Sequence, residues 1–202
     1  MYKRQDIECS NGHDICSFGY CLTDEKFKII KKEDIVINPE SKIVLSKKGE
    51  VAKIHLAYSQ EYFNKQNPFD FYYPKIKKLL TDRKHVLFGH AIQSDFSYLN
   101  IACGRYNLPA IEMEGYDTQK LHHLIYKTPH IESLEKIVEE LEIEKDFLYH
   151  KSSEDAHATM LVAKRIFEEC ELDFATFKDK YSDCLVKNVC PKPKEKNISR
   201  NQ

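Results

Sequence analysis

The stretch HVLFGHAIQSDFSYLNIACGRYNLP, residues 85–109, carries the strongest indication of the fold. Its first part, HVLFGH, is a short apolar run ending near a glycine, which is typical of a buried strand. The part that follows, SDFSYLNIACGRYNLP, continues as a helix until the segment from Gly104 to Pro109 ends it. A strand followed by a helix is the unit from which parallel sheets are built. The stretch therefore predicts an α/β protein.

The sequence before this unit predicts strands and then helices. ICSFGYCL (15–22) and FKIIKKEDIVINPE (27–40) are apolar, β-rich segments separated by a turn, and they predict a meander of strands. EVAKIHLAYSQEYFNKQ (50–66) has roughly helical apolar spacing, and NPFDFYYPKIKKLLTD (67–82) predicts a second helix that begins after Pro68.

The sequence after residue 109 predicts a further strand and three helices. IEMEGYDTQKLHHLIYK (111–127) gives a short strand and a helix, and SLEKIVEELEI (133–143) gives a helix capped by Ser133. The last long helix is predicted over roughly 153–170. We expect one folded domain over residues 1–185 and a disordered or loosely packed Lys- and Pro-containing tail over 186–202, because the tail has little apolar surface to bury.

Composition narrows the class of protein. The formal net charge is −1, from 31 basic and 32 acidic residues, so any contact with nucleic acid must be local. The seven cysteines form no CxxC pair, which argues against a zinc site and against a disulfide framework. No segment is apolar enough for a signal peptide or a membrane span. We expect a cytoplasmic protein with reduced thiols and no membrane partner.

Acidic residues stand near the ends of three predicted elements. Asp6 and Glu8 lie in RQDIECS, Asp95 lies in GHAIQSD, and Asp155 follows His150 in HKSSED. If Asp6-Ile7-Glu8 is a strand, both carboxylates face the same side, because side chains alternate along a strand. Four carboxylates can hold two hard divalent cations, Mg²⁺ or Mn²⁺, and such a pair of ions supports phosphoryl transfer. A histidine, with an ordinary pKa of about 6.5, can take a proton from water near neutral pH.

Each of these residues also has a purely structural interpretation when it is taken alone. An aspartate such as Asp95 at a helix start is most often a cap, and Asp155 suits the first turn of a helix because of the helix dipole. His150 alone fits a loop histidine. Their order and context together favour a site.

These motifs resemble those of the DEDD superfamily of 3′→5′ exonucleases, in the subgroup whose third motif contains a histidine. Asp6 and Glu8 match the DxE motif, Asp95 matches the aspartate of the second motif, and His150 with Asp155 matches HxxxxD. The resemblance covers roughly residues 2–170, in the right order. It implies a ribonuclease-H-like fold, with a mixed central β-sheet flanked by α-helices.

The resemblance also implies an activity and a role for each site residue. The activity is metal-dependent removal of nucleotides from the 3′ end of single-stranded nucleic acid, with DNA favoured, releasing nucleoside 5′-monophosphates. Asp6, Glu8 and Asp155 would be direct ligands of two divalent cations, Asp95 would act partly through water, and His150 would be the general base. Relatives of this kind can be free, homodimeric or associated with a polymerase.

Three departures from the family pattern stand out. The residues before Asp6, Tyr-Lys-Arg-Gln at positions 2–5, are polar. They predict that the first strand is short or that its start differs from the family pattern. Positions 9–11 are Cys-Ser-Asn where the family often has threonine and glycine. Ala91 and Ser94 replace an asparagine and an aromatic residue. None of these departures removes a ligand.

Two other functions stay open at the level of sequence. One is an RNA-directed exoribonuclease or oligoribonuclease, because no motif here reports contacts to a 2′-hydroxyl. The other is a catalytically silent subunit that binds nucleic acid. The retention of all five motif residues argues against the silent subunit, since a binder gains nothing from clustered carboxylates.

Overall fold

The computed structural model describes residues 1–45, 55–144 and 150–189. Within these ranges, six strands form one mixed sheet in the order β3-β2-β1-β4-β5-β6. The strands are β1 Tyr2–Cys9, β2 Ile15–Thr23, β3 Ile29–Val36, β4 Val86–Gly89, β5 Met113–Asp117 and β6 Leu185–Asn188. The helices are α1 Gln60–Asn64, α2 Phe69–Thr81, α3 Ile92–Arg105, α4 Thr118–Tyr126, α5 Leu134–Glu140, α6 Ser152–Glu169 and α7 Phe174–Lys180.

The sheet contains an antiparallel part and a parallel part, which meet at β1. β1, β2 and β3 form an antiparallel meander, as the apolar segments at 15–22 and 27–40 predict. β1, β4 and β5 are parallel, which confirms the strand-helix unit predicted over residues 85–109. The α/β class and the mixed central sheet with flanking helices are therefore confirmed.

Helices cover both faces of the sheet, and each face has its own apolar core. α2 and α3 pack on one face through buried side chains that include Ile76, Phe96 and Leu99. α4 to α7 pack on the other face, where Phe88 and Phe177 are central. In α6, the side chains of Ala156, Met160, Ala163, Ile166 and Phe167 are all buried. We refer to the two sides as the α3 face and the α6 face.

The first strand is longer than its polar sequence predicts. It runs the full length from Tyr2 to Cys9, with Lys3, Arg4 and Gln5 all buried. Two of these side chains have a partner that offsets part of the cost of burial. The Lys3 ammonium donates to the carbonyl of Leu79, and the Arg4 guanidinium lies 3.8 Å above the ring of Phe88. A central position in the sheet overrides the polar pattern of this segment.

Two further segments differ from the sequence pattern. Residues 55–59 are not helical, although 50–66 has helical spacing, and α1 begins only after Ser59, whose hydroxyl accepts from the Tyr62 amide. The rest of that predicted helix, up to residue 54, lies outside the described residues.

At the other end of the chain, the first residues of the predicted tail form part of β6. Val186 is buried against α3, and the Asn188 side chain donates to the carbonyl of Ile111 at 2.8 Å. A strand this short carries too few residues to show a period in the sequence. Residues 190–202 lie outside the described ranges.

The six cysteines in the described ranges are free thiols, and Cys190 lies outside those ranges. Among the described helices, none combines the length and the apolar character that crossing a membrane would require.

Candidate active site

Asp6 and Glu8 lie on the half of β1 that extends past the end of β4. β4 pairs with β1 only from Tyr2 to Arg4, so the strand has a free edge beside the two acidic residues. Both side chains face α6, while Ile7 between them is buried in the core on the α3 face. The alternation predicted for Asp6-Ile7-Glu8 therefore places both carboxylates on one side of the sheet.

A glycine allows α6 to begin directly above this part of the sheet. Gly19 of β2 pairs with Asp6, and a Cβ atom at Gly19 would lie 2.0 Å from the carbonyl carbon of Ser152. Only a residue without a side chain permits that approach. The first turn of α6 thus rests on the sheet, and this turn carries Asp155.

His150 is held at the entrance to α6 by backbone contacts. Its φ angle is 61°, in the left-handed region, and its N–H donates to Asp155 Oδ2 at 2.9 Å. Its carbonyl oxygen accepts from the amide of Ala57 at 3.2 Å. The imidazole Nδ1 lies 3.6 Å from Glu8 Oε1, and the side chain is 33% exposed. His150 is therefore beside the carboxylates and within reach of solvent.

Asp95 approaches from the opposite face of the sheet. It lies in the first turn of α3 but is not the N-cap residue, which is Ala91. Its Oδ2 atom accepts from the side-chain amide of Gln5 at 2.9 Å. The charge of Asp95 contributes to raising the pKa of Asp6, so the two carboxylates are electrostatic neighbours around the free edge of β1.

Burial and mutual repulsion make these carboxyl groups weak acids in the protein without a cation. Burial, followed by the charges of Asp155 and Asp34, raises the pKa of Glu8 to about 8. Burial raises the pKa of Asp155 to about 7, although the hydrogen bond from the His150 amide opposes this shift. Burial, then Asp95 and Asp155, raises the pKa of Asp6 well above its usual range. This is the electrostatic pattern of a functional site.

The donor atoms fit a hard divalent cation. Glu8, His150 and Asp155 each offer one ligand atom, and these three atoms lie within 4.8 Å of one another. Asp6 Oδ2 is buried and has no hydrogen-bond partner among the described residues, so it is an acceptor left for a cation or water. Carboxylate oxygens are the ligands that Mg²⁺ and Mn²⁺ prefer. A cation here would relieve the repulsion among the carboxylates.

The structure adds a residue that the sequence pattern does not reveal. Asp34 of β3 pairs with Gly19, on the side opposite to Asp6, and its charge contributes to raising the pKa values of Asp6, Glu8 and Asp155. Adjacent strands lie about 4.8 Å apart, so Asp34 is about 10 Å from Asp6 across the sheet. Only the register of β1, β2 and β3 brings it there, and no local motif reports that register.

The sheet order and the acidic end of β1 beneath a helix start define a ribonuclease-H-like nuclease fold. A family profile described as "DNA polymerase III subunit epsilon-like, C-terminal domain" matches residues 27–166, more than half of the chain. The chain belongs to this DEDDh exonuclease family. Asp95, His150 and Asp155 lie within the matched range, and Asp6 and Glu8 precede it.

Several solved structures share the fold. The nuclease domain of 3′hExo, described as a DEDDh family member bound to rAMP, gives a TM-score of 0.69 at 21% identity, over 85% of this chain and 94% of that chain. Exonuclease X in complex with 5′-overhanging duplex DNA gives 0.65 at 14% identity, over 89% and 98%. Pop2p of S. pombe, in a form with Mg²⁺ and Mn²⁺, gives 0.63 at 14% identity, over 91% and 87%. No curated protein sequence matches the chain.

Proposed function

We propose that this chain is a metal-dependent 3′→5′ exonuclease that hydrolyses phosphodiester bonds at the 3′ end of single-stranded nucleic acid and releases nucleoside 5′-monophosphates. The observation that carries the proposal is the meeting of Glu8, His150 and Asp155 within 4.8 Å, next to the unpartnered oxygen of Asp6. Membership of the DEDDh family supports nuclease activity, and the arrangement of these side chains supports hydrolysis at this position.

Asp6, Glu8, Asp95 and Asp155 are the residues that would hold two divalent cations, Mg²⁺ or Mn²⁺. Such ions, when bound, activate an attacking water and stabilise the charge on the leaving oxygen. In this arrangement Asp6, Glu8 and Asp155 contribute oxygens from the α6 face. Asp95, whose carboxylate already accepts from Gln5, acts from the other face and partly through water.

His150 is the general base in this proposal. Its Nδ1 atom faces Glu8, which favours a tautomer with the proton on Nδ1 and leaves Nε2 able to accept a proton from the attacking water. The two hydrogen bonds of the His150 backbone fix the position of its Cα atom, while the imidazole ring stays partly exposed. A hard cation prefers the neighbouring carboxylates, so the imidazole remains available for proton transfer.

DNA is the favoured substrate, because the matching family is described by its likeness to a DNA polymerase subunit. The structures that share the fold include one bound to rAMP and one bound to DNA, so an RNA-directed activity is the alternative. Hydrolysis of DNA and RNA strands of identical sequence measures the preference directly.

The test is hydrolysis of a single strand labelled at its 5′ end, with Mg²⁺, with Mn²⁺ and with EDTA. We expect a ladder that shortens from the 3′ end, monophosphate products in chromatography, and no reaction in EDTA. The variant Asp155→Asn is the control for a contaminating nuclease, and it should be inactive. Hydrolysis that persists in EDTA or in Asp155→Asn would contradict the proposal, and an inactive wild-type protein would favour a silent binding subunit.

A further inference from the structure

Asp34 links two segments of the chain that both contact His150. Its Oδ1 atom accepts from the hydroxyl of Ser152 at 2.6 Å, and its Oδ2 atom accepts from the hydroxyl of Tyr58 at 2.9 Å. Ser152 is two residues after His150, and Tyr58 follows Ala57, whose amide donates to the His150 carbonyl. One carboxylate therefore holds both sides of the backbone around the proposed general base.

The direction of these hydrogen bonds follows from the groups involved. A carboxylate only accepts, so Ser152 must donate its hydroxyl proton to Asp34. The hydroxyl of Ser17, 2.7 Å from that of Ser152, must then be the donor to Ser152. Ser17 and Ser152 are both buried, so this chain of bonds from β2 to β3 is shielded from water and costly to break.

His150 needs such support because its backbone is strained. A residue other than glycine in the left-handed region costs free energy, and it persists only where its surroundings hold it there. The Ala57 amide contacts His150 directly, and Asp34 fixes the neighbouring Tyr58 and Ser152. Each Asp34 oxygen thus accepts one hydrogen bond from a hydroxyl, and the two bonds engage the segments on either side of His150.

We propose that Asp34 is a positioning residue: it holds the segment at residues 57–58 and the start of α6 together so that the His150 imidazole stays beside Glu8. This inference rests on the proposed function, because His150 is the general base of that reaction. Asp34 therefore affects the rate of the chemical step and has little effect on substrate binding.

Two substitutions at Asp34 separate hydrogen bonding from charge. In Asp34→Asn the amide can still bond both hydroxyls, accepting from one and donating to the other, whereas Asp34→Ala loses both bonds. We expect Asp34→Ala to lower kcat by about 10²-fold, the scale of a small misplacement of a catalytic group, with KM nearly unchanged. We expect Asp34→Asn to retain most of the wild-type kcat. Equal loss in both variants would mean that the charge matters, and would overturn the proposal.

A second pair of variants tests the same contact with a smaller risk of misfolding. Tyr58→Phe removes one hydroxyl, and Tyr106→Phe is its matched control, because Tyr106 is also half-buried and donates to a carboxylate, Glu40, at 2.6 Å. We expect a fall in kcat for Tyr58→Phe and none for Tyr106→Phe. An unchanged kcat in Tyr58→Phe together with an unchanged kcat in Asp34→Ala would overturn the proposal.

A readout without activity distinguishes this inference from the proposed function. The His150 amide donates to Asp155, so its hydrogen exchange in metal-free protein reports whether the segment is held. We expect faster exchange in Asp34→Ala than in wild type or in Asp34→Asn. If the wild-type protein proves inactive, the proposed function fails, and faster exchange would still support a positioning role for Asp34. Unchanged exchange in Asp34→Ala would overturn that role.

Discussion

Gly19 and Ser152 are in backbone contact: a Cβ atom at Gly19 would lie 2.0 Å from the carbonyl carbon of Ser152 and 2.2 Å from the nitrogen of Ser153. Gly19 pairs with Asp6 on one side and with Asp34 on the other. The first turn of α6 therefore sits on the sheet between these two carboxylates, and the contact fixes how close Asp155 comes to β1.

We expect Gly19→Ala to displace the start of α6, because the obstacle is backbone and cannot rotate away. The free energy of unfolding should fall by about 1–3 kcal/mol, the usual range for overpacking, and hydrolysis should slow by about 10²-fold. Urea denaturation and strand hydrolysis measure the two effects. Gly104→Ala is the control, since a Cβ added there would meet no atom of the described residues within 4 Å and its helical position favours alanine by about 0.5–1 kcal/mol. Wild-type rate and stability in Gly19→Ala would show that this contact does not set the site.

Asp6→Asn should abolish hydrolysis and at the same time stabilise the metal-free protein. Asparagine removes one charge from a buried group of carboxylates that repel one another, while it keeps the shape of the side chain. Thermal unfolding in EDTA at pH 8 should show a higher midpoint than wild type. The exposed Asp179, changed to asparagine, should alter neither property. A lower midpoint in Asp6→Asn would argue that the Asp6 carboxylate has a stabilising partner.

The stability of the metal-free protein should fall as pH rises. Glu8 has an ordinary pKa of 4.5 that is raised to about 8, and Asp155 has an ordinary pKa of 3.8 that is raised to about 7. The folded protein therefore binds more protons than the unfolded chain between these values, so this stabilisation is complete below about pH 4 and is lost as pH rises through 7 to 8.

Mn²⁺ should reverse that loss, and its effect should grow with pH, because the ligands must be deprotonated to bind it. Unfolding midpoints from pH 5 to pH 8, each measured with EDTA and with Mn²⁺, test both statements. The predicted cation site would be contradicted if the increase caused by Mn²⁺ were the same at every pH.

His150→Asn should slow hydrolysis by about 10²-fold or more, the usual scale for the loss of a general base, with a small effect on folding. Asparagine is chosen because it tolerates the left-handed backbone of this residue better than alanine does. Calorimetric titration with Mn²⁺ should give an affinity close to that of wild type, since the carboxylates remain. Wild-type turnover in this variant would remove His150 from the reaction.

Arg4→Met should leave the protein as stable as wild type or stabilise it by about 1–4 kcal/mol, as when buried charges are replaced by apolar groups. The Arg4 side chain is fully buried, and within the described part of the chain its Nε and Nη2 atoms have no hydrogen-bond partner. Its contact with Phe88 offsets only part of that cost. Lys3→Met is the comparison: the Lys3 ammonium bonds the Leu79 carbonyl, so its loss leaves that oxygen unpaired. Marked destabilisation by Arg4→Met would mean that the ring contact outweighs desolvation.

The sequence was sufficient for the features that local pattern encodes. The strand and helix at residues 85–109 and the long α6 have clear apolar periods, and the motif residues lie at the ends of these elements. The sequence was insufficient where tertiary context decides. The polar start of β1 is buried because its neighbours supply a carbonyl and an aromatic ring, and residues 55–59 are irregular where Tyr58 reaches Asp34. The roles of Gly19 and Asp34 depend on strand register, which no single segment reveals.

The contact between Gly19 and Ser152 also joins two parts of the chain that are synthesised at different times. Asp6 and Glu8 are synthesised well before His150 and Asp155. A nascent chain thus contains the first two acidic side chains without the others, and the proposed site is complete only when α6 has docked on the sheet.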